Sequence, residues 1–281
     1  MEITLSEDGK EFNMLFREQS ACLLDAKGRL LLWKLMTLSN TMKYRTGPVV
    51  PFLPIPRAYY IGRAYTVTTS FVKAVEMKVH PAMYSKMRAD SILAATLRLG
   101  YVRGSSSCLI DSAKLLESGE LVYECAHLCV NVNKKTRRPI KNPDDFLKKV
   151  KQLQTGEEPT FMNPFRDVPS DGAFRYSFQA PHSDTDQNLH INQANFIKYC
   201  MDCAILGTQD QAYTLFKGDI GLYHVQSVSM VHLGEAAAGH RLEVISWEQA
   251  ARPLELYFVI RRDEKDIFHC VIRFRNGISK L

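Results

Sequence analysis

Residues 181–206 read PHSDTDQNLHINQANFIKYCMDCAIL, a run of polar and titratable residues followed at once by an apolar stretch. In the apolar stretch, hydrophobic residues recur at the spacing of one helix face, at Phe196, Tyr199, Cys200, Cys203 and Leu206. Asn192 stands just ahead of them and is a favourable N-cap residue. The sequence therefore predicts a long, largely buried helix after Asn192.

After this helix the apolar period changes from 3.6 to 2. Apolar residues alternate with others at Leu256, Phe258 and Ile260, and again at Phe268, Cys270, Ile272 and Phe274. Asp263-Glu264-Lys265 lies between the two runs and supplies turn residues. The pattern predicts an antiparallel hairpin.

The first half of the chain has the same order. A helical pattern from Ala21 to Tyr44 ends at Gly47-Pro48, and alternation follows at Tyr65, Val67, Thr69 and Phe71. The last predicted strands of the two halves are also similar in sequence, since residues 121–126 can be aligned with residues 266–271. We infer an internal duplication of one helix followed by a run of strands.

These patterns predict an α+β fold with two tandem units, each a long central helix wrapped by an antiparallel sheet. The expected boundaries are residues 1–142 for the first unit, 143–165 for a basic linker with a short helix, and 166–281 for the second unit.

Three residues ahead of the second helix are spaced by two: Asp186, Asn188 and His190. In an extended segment their side chains project to one side, which would gather a carboxylate, an amide and an imidazole beside a helix N-terminus. The alternative is that such residues only make turns and caps. For Ser183 and Asp184 we favour that alternative.

The stretch from Ser183 to Phe196 resembles the signature of hot-dog-fold thioesterases of the 4-hydroxybenzoyl-CoA thioesterase-like superfamily, and is most similar to plant acyl-ACP thioesterases. The resemblance implies two hot-dog units in one chain, with the active site in the second. It also implies a Glu after the next strand, and Glu235 occupies that position. The family often has Cys next, whereas Ala236 stands here, which excludes a cysteine nucleophile at that position.

The resemblance implies thioester hydrolysis without a cofactor. Asp186 would act as general base toward water or as the attacking carboxylate, and Asn188 would orient the water or the carbonyl. His190 would assist proton transfer or bind the carbonyl, and Glu235 would hold the water or the imidazole. Backbone N–H groups of residues 191–193, and so Asn192 and Gln193, would bind the substrate carbonyl. The first unit lacks these residues and would be a degenerate, pocket-forming unit.

Residues 131–156 carry all of the net charge of +6, because this stretch contains eight Lys and Arg residues and only two Asp residues. A positive connector is either a solvated linker or a binding surface for a phosphorylated or acidic partner. Under the resemblance that partner is acyl-CoA or an acyl carrier protein. The candidate contacts are Lys134, Lys135, Arg137 and Arg138. No nucleic-acid-binding motif accompanies the patch.

Two other functions stay open. A hot-dog hydratase or dehydratase has a motif like D-x-N-P-x-H, with five residues from Asp to His, whereas Asp186 and His190 are four apart and Leu189 replaces the Pro. A catalytically inactive acyl-thioester or lipid-binding protein would keep the pocket and lose the polar residues.

The composition, 46% hydrophobic and 23% charged, is that of an ordinary globular protein, and no apolar run is long enough to span a membrane. Seven cysteines and no export signal favour reduced thiols in the cytoplasm. Cys200 with Cys203, and the alternating Cys125, His127 and Cys129, lack further metal ligands, so packing roles are favoured and no metal site is expected. The chain is expected to be a monomer or a homodimer.

Overall fold

A computed structural model of the chain describes residues 3–17, 19–46, 68–186 and 189–278. The chain divides into two compact units. Unit 1 consists of Met1–Ala21 and Leu38–Phe161, and unit 2 of Cys22–Thr37 and Met162–Leu281. The first residues of helix α1 (Leu32–Thr46), up to Thr37, belong to unit 2, and its residues from Leu38 onward belong to unit 1. The predicted strand residues Tyr65 and Val67 and the predicted helix end at Gly47-Pro48 lie outside the described residues.

Unit 1 contains an antiparallel sheet in the order β1-β2-β4-β5-β6-β3. Its strands are β1 (Ile3–Leu5), β2 (Glu11–Phe16), β3 (Thr68–Val79), β4 (Leu93–Arg103), β5 (Ser106–Leu115) and β6 (Leu121–Asn133). Two short α-helices among the described residues, α2 (Ala82–Ser85) and α3 (Asp144–Val150), also belong to the unit. Helix α3 buries Phe146 and Val150 and lies within residues 143–165, where the sequence predicts a short helix.

Unit 2 contains an antiparallel sheet in the order β8-β11-β10-β9-β7. Its strands are β7 (Phe174–Gln179), β8 (Tyr223–His232), β9 (Arg241–Glu248), β10 (Glu255–Arg262) and β11 (Lys265–Ile278). Helix α4 (Gln193–Gln209) packs on β7, β9 and β11. It buries Phe196, Tyr199, Cys200 and Cys203, as the helical spacing predicts, whereas Leu206 of the same pattern is only partly buried.

The two sheets repeat one strand order. The sheet order is β2-β4-β5-β6-β3 in unit 1 and β7-β9-β10-β11-β8 in unit 2. In both sets the strand that comes second in the sequence lies at the far end of the sheet from the strand that comes first. In both, the long helix follows the first strand of this set in the sequence. The fold is therefore α+β with antiparallel sheets.

The predicted hairpin of unit 2 is confirmed. Strands β10 and β11 pair across Asp263 and Glu264, whose φ angles are 50° and 61°. Two left-handed residues in a two-residue loop match the twist of the flanking strands. Lys265 is the first residue of β11 rather than part of the turn.

The predicted start of the first helix at Ala21 is wrong, because α1 begins at Leu32. Asp25 accepts hydrogen bonds from the backbone N–H groups of Lys27 and Arg29 through Oδ1, at 2.8 and 3.0 Å. Gly28 has φ +71°, and Leu24 pairs with Leu30 in an antiparallel bridge. The leucine spacing is helical, but the side chain of Asp25 and the left-handed glycine stabilise a turn instead.

Among the described residues, no helix combines the length and the apolar character needed to cross a membrane.

Candidate active site

The polar segment ahead of α4 forms a tight turn. The Asp186 N–H donates to the carbonyl of His190 at 2.8 Å, and the Leu189 N–H donates to the carbonyl of Asp186 at 3.0 Å. Leu189 has φ +62° and is exposed. Thr185 and Ile191 pair in an antiparallel bridge, so the chain reverses between them.

The prediction of an extended segment is therefore wrong at Leu189, whose left-handed conformation reverses the chain. The turn nevertheless holds Asp186 beside His190. The His190 N–H makes a long hydrogen bond of 3.4 Å to Oδ1 of Asp186. Asn188 lies outside the described residues.

Asp184 anchors this turn to helix α4. Its carboxylate Oδ2 accepts from Nζ of Lys198 at 2.6 Å and from the hydroxyl of Tyr199 at 2.8 Å. Its carbonyl accepts from the Asn192 N–H and from Nδ2 of Asn195, both at 2.9 Å. Burial and the Asp184 carboxylate raise the pKa of Tyr199, so Tyr199 stays a hydroxyl donor. The interpretation of Asp184 as a residue that shapes the loop agrees with these bonds.

Asn192 is the N-cap of α4, as predicted, because its Oδ1 accepts from the Ala194 N–H at 2.9 Å. Its own N–H is bonded to Asp184, and the Ile191 N–H donates to the carbonyl of Ala236 at 2.7 Å. The expectation that the Ile191 and Asn192 N–H groups polarise a substrate carbonyl does not fit, since both already have acceptors in the protein. Gln193 donates through Nε2 to the sulfur of Met36, at 3.7 Å.

Glu235 comes close to His190 from a distant part of the sequence. It follows β8 by three residues, and Nε2 of His190 lies 3.4 Å from its Oε2. An antiparallel bridge between His190 and Ala237 holds the two segments side by side. The side chains of His190 and Glu235 are 24% and 35% exposed, so both can be reached from solvent.

Two contacts that support the site are not predicted from the sequence. Nη1 of Arg262, at the end of β10, donates to the backbone carbonyl of Glu235. Gly234 packs on Ile267, because a Cβ at Gly234 would come within 2.9 Å of the Ile267 side chain. Both contacts fix the segment that carries Glu235. No local signal marks Arg262, because its partner is 27 residues away.

The structure thus brings together three of the predicted residues: Asp186, His190 and Glu235. An imidazole next to a carboxylate has a fixed ring orientation and can move a proton. A second carboxylate in the same turn can act on a water molecule or a carbonyl carbon. Partial exposure leaves this group accessible to a substrate.

The basic residues Lys134, Lys135, Arg137 and Arg138 lie in an exposed turn after β6 in unit 1. Oδ1 of Asn133 accepts from the N–H groups of Lys135 and Thr136 at 2.8 and 3.0 Å, which closes the turn. The guanidinium of Arg137 lies over the ring of Phe71, 5.1 Å from its centre. All four residues are exposed, and side-chain hydrogen bonds of Asn133 fix the turn that carries them.

Three solved structures resemble the chain over nearly its whole length. A 12:0-ACP thioesterase from Umbellularia californica has a TM-score of 0.77 at 12% identity, covering 97% of this chain and 99% of its own. A Lactobacillus plantarum protein described as an oleoyl thioesterase has a TM-score of 0.72 at 14% identity, covering 97% and 98%. An acyl-ACP thioesterase from Bacteroides thetaiotaomicron has a TM-score of 0.69 at 15% identity, covering 96% and 100%.

No protein-family model matches the sequence, and no curated protein matches it. At 12–15% identity the likeness to the solved structures establishes the fold, which is the hot-dog fold of these thioesterases.

Proposed function

We propose that the chain hydrolyses an acyl thioester carried by coenzyme A or by an acyl carrier protein. The observation that carries the proposal is the contact of 3.4 Å between His190 and Glu235, beside Asp186 and at the start of a buried helix. The names of the structural neighbours, two of which are acyl-ACP thioesterases, support the same reaction.

In the proposed reaction a water oxygen attacks the thioester carbonyl carbon, and Asp186 takes the proton from that water. The tetrahedral intermediate collapses, the C–S bond breaks, and the thiolate leaves with a proton delivered through His190. The products are a free acid and a thiol. Alternatively, the Asp186 carboxylate attacks the carbonyl carbon, the C–S bond breaks and the thiolate leaves, and water then hydrolyses the resulting mixed anhydride to regenerate Asp186.

Glu235 is proposed to orient the imidazole of His190, and Asn188 to orient the water or the carbonyl. Because the Ile191 and Asn192 N–H groups are occupied, His190 and the Gln193 N–H are the proposed donors to the developing oxyanion. No cofactor is required for this chemistry.

We further propose that the two units are tandem hot-dog units and that unit 2 carries the reaction. The repeated strand order supports the duplication. Unit 1 is proposed to form pocket wall rather than to catalyse. The proposed compartment is the cytoplasm, which agrees with seven free cysteines. The proposed assembly is a monomer or a homodimer.

The basic turn of Lys134, Lys135, Arg137 and Arg138 is proposed to attract the carrier. Coenzyme A presents phosphates and carrier proteins are acidic, so exposed cations favour both.

The test is thiol release from a panel of acyl-CoA and acyl carrier protein thioesters of increasing chain length. Hydrolysis releases a thiol, whereas hydration of an enoyl thioester leaves the thioester intact, so the assay separates the two reactions. We expect thiol release from at least one class of carrier. Binding without thiol release would favour an inactive acyl-thioester-binding protein, and loss of enoyl absorbance without thiol release would favour a hydratase.

A further inference from the structure

Unit 1 contains a second group of polar side chains, which the proposed reaction does not use. The group consists of Ser39, Lys43, Asp111, Cys125 and His127. The side chains of Asp111 and His127 are 0% exposed, and Ser39 and Cys125 are buried. Buried polar groups are costly unless their partners are well matched, so this group calls for a physical explanation.

Three elements bring the group together. Cys125 and His127 are two residues apart on β6 and point to the same face of the sheet. Asp111 on β5 pairs directly with Cys125 across the strands. Ser39 reaches the same point from helix α1. The convergence depends on the sheet register, and not on a short sequence motif.

The contacts concentrate on one nitrogen. Nε2 of His127 lies 2.8 Å from Oγ of Ser39, 2.9 Å from Oδ1 of Asp111 and 3.1 Å from Sγ of Cys125. A ring nitrogen has either one hydrogen or one lone pair in the ring plane, so hydrogen bonding satisfies one of these three neighbours well. Among the described residues, Oδ2 of Asp111 is buried without a hydrogen-bond partner.

We propose that Ser39, Asp111, Cys125 and His127 form a structural site for a divalent cation of the zinc class. The donor atoms of Asp111, Cys125 and His127 all lie within 4.8 Å of one another. Thiolate, imidazole and carboxylate are the ligands that zinc takes in proteins, and the hydroxyl of Ser39 is the fourth donor. A cation between them binds all four donors at once, whereas hydrogen bonds pair them singly, as in the bond from the Ser39 hydroxyl to Oδ1 of Asp111 at 2.9 Å.

The movement required around Nε2 of His127 is small. Bonds of about 2.0–2.3 Å to a tetrahedral zinc ion place the donors roughly 3.3–3.6 Å apart. The donors that surround His127 are now 2.8–3.1 Å from its Nε2, so they must separate by about half an ångström. Full burial and four protein donors are typical of a structural site, since a catalytic site keeps an open position.

Charge balance is also possible in the closed site. A divalent cation with the Asp111 carboxylate and a Cys125 thiolate is neutral, and the thiol proton passes to solvent. With Nε2 on the metal, Nδ1 of His127 carries the ring hydrogen. Nζ of Lys43 lies 2.9 Å from Nδ1 and can accept that hydrogen as an uncharged amine.

The experiment uses the full-length chain, stripped with a chelator and titrated with Co²⁺ under reducing conditions. We expect about one Co²⁺ per chain, with a sulfur-to-cobalt charge-transfer band and the visible bands of four-coordinate cobalt. One equivalent of Zn²⁺ should remove both. Absence of the charge-transfer band in the wild-type chain would overturn the proposal without any variant.

Two variants locate the site. Cys125→Ala should lose the charge-transfer band and bind Co²⁺ at least a hundredfold more weakly. Cys108→Ala is the matched control, because Cys108 is also a buried cysteine, on β5, but packs in an apolar cluster with Ile110 and Ala126. A band that survives Cys125→Ala, or disappears in Cys108→Ala, would contradict the assignment. Asp111→Asn keeps the side-chain volume and should weaken binding in the same direction.

Discussion

Nε2 of His190 lies 3.4 Å from Oε2 of Glu235, although the two residues are far apart in the sequence. The turn that carries His190 is bonded to the segment that carries Glu235 by the Ile191–Ala236 hydrogen bond and the His190–Ala237 bridge. The carboxylate therefore has a defined position relative to the imidazole. Its proposed role is to orient the ring and to stabilise the imidazolium when it forms.

Glu235→Gln should lower kcat about ten- to hundredfold, because an amide keeps the size of the side chain and loses the charge that stabilises the imidazolium. KM should change little. The measurement is steady-state thiol release with the preferred thioester. Glu264→Gln is the control, since Glu264 is an exposed residue of the β10–β11 turn. Equal rates for Glu235→Gln and Glu264→Gln would remove Glu235 from the site.

Asp184→Ala should lower the free energy of unfolding by about 2–3 kcal/mol, because it removes a buried carboxylate that accepts from Lys198 and Tyr199. Thiol release should fall as well, since the turn that bears Asp186 and His190 loses its attachment to α4. Tyr199→Phe removes one of the two hydrogen bonds and should cost about 1 kcal/mol. Urea unfolding measures both. A smaller effect for Asp184→Ala than for Tyr199→Phe would show that Asp184 does not anchor the turn.

Replacing Lys134, Lys135, Arg137 and Arg138 by Gln should raise KM at low ionic strength and make it less sensitive to added salt. The reason is the loss of attraction to phosphates or to an acidic carrier. The control replaces four exposed cations elsewhere, Lys27, Arg88, Lys114 and Lys217, and changes the net charge equally. If both quadruple variants shift KM alike, the effect belongs to net charge and the basic turn is only solvated.

Stability should fall as the pH drops below the ordinary pKa of histidine, because burial lowers the pKa of His269 from 6.5. Nδ1 of His269 accepts from the Phe165 N–H at 2.9 Å, and Nε2 is 2.9 Å from Asp266, which also pairs with Arg261. A proton on Nδ1 breaks the first bond. The unfolded chain binds this proton at a higher pH than the folded chain, so stability is full above pH 6.5 and is lost as the pH falls from there through the folded pKa.

Urea midpoints between pH 8 and pH 5.5 test this dependence. His269→Gln should make the pH dependence less steep, with His127 and His224, whose pKa values burial also lowers, contributing the remainder. His182→Gln, at an exposed position, should leave it unchanged. A wild-type midpoint that does not change over this range, or an unaltered pH dependence in His269→Gln, would contradict the assignment to His269.

The parts of the fold that depend on local signals could be predicted from the sequence. The β10–β11 hairpin followed from alternating apolar residues and its turn, and the start of α4 followed from Asn192. The start of α1 did not, because the turn built by Asp25 and Gly28 interrupts a leucine spacing that is itself helical. The spacing of apolar residues does not show where side-chain hydrogen bonds stabilise a turn in place of a helix.

The candidate site was predictable only in part. The motif resemblance identified Asp186, His190 and Glu235, but the turn between Asp186 and His190 depends on a left-handed Leu189, a residue type that rarely adopts this conformation. The bond from Arg262 to Glu235 and the pairing of Asp111 with Cys125 depend on the register of the strands. That register cannot be read from the sequence. In the sequence, Cys125, His127 and Cys129 form an incomplete ligand set, because the further ligands proposed for Cys125 and His127 come from β5 and α1.

The most direct test of the central claim is the rate of thiol release by His190→Ala, compared with wild type and with His182→Ala. His182 is an exposed histidine of the same polar segment and serves as the matched control. Loss of the proton-transfer group predicts a kcat about 10²–10⁴-fold lower for His190→Ala, with an unchanged unfolding midpoint. The His182→Ala variant should keep the wild-type rate. Full activity in a folded His190→Ala variant would contradict the assignment of thioester hydrolysis to this site.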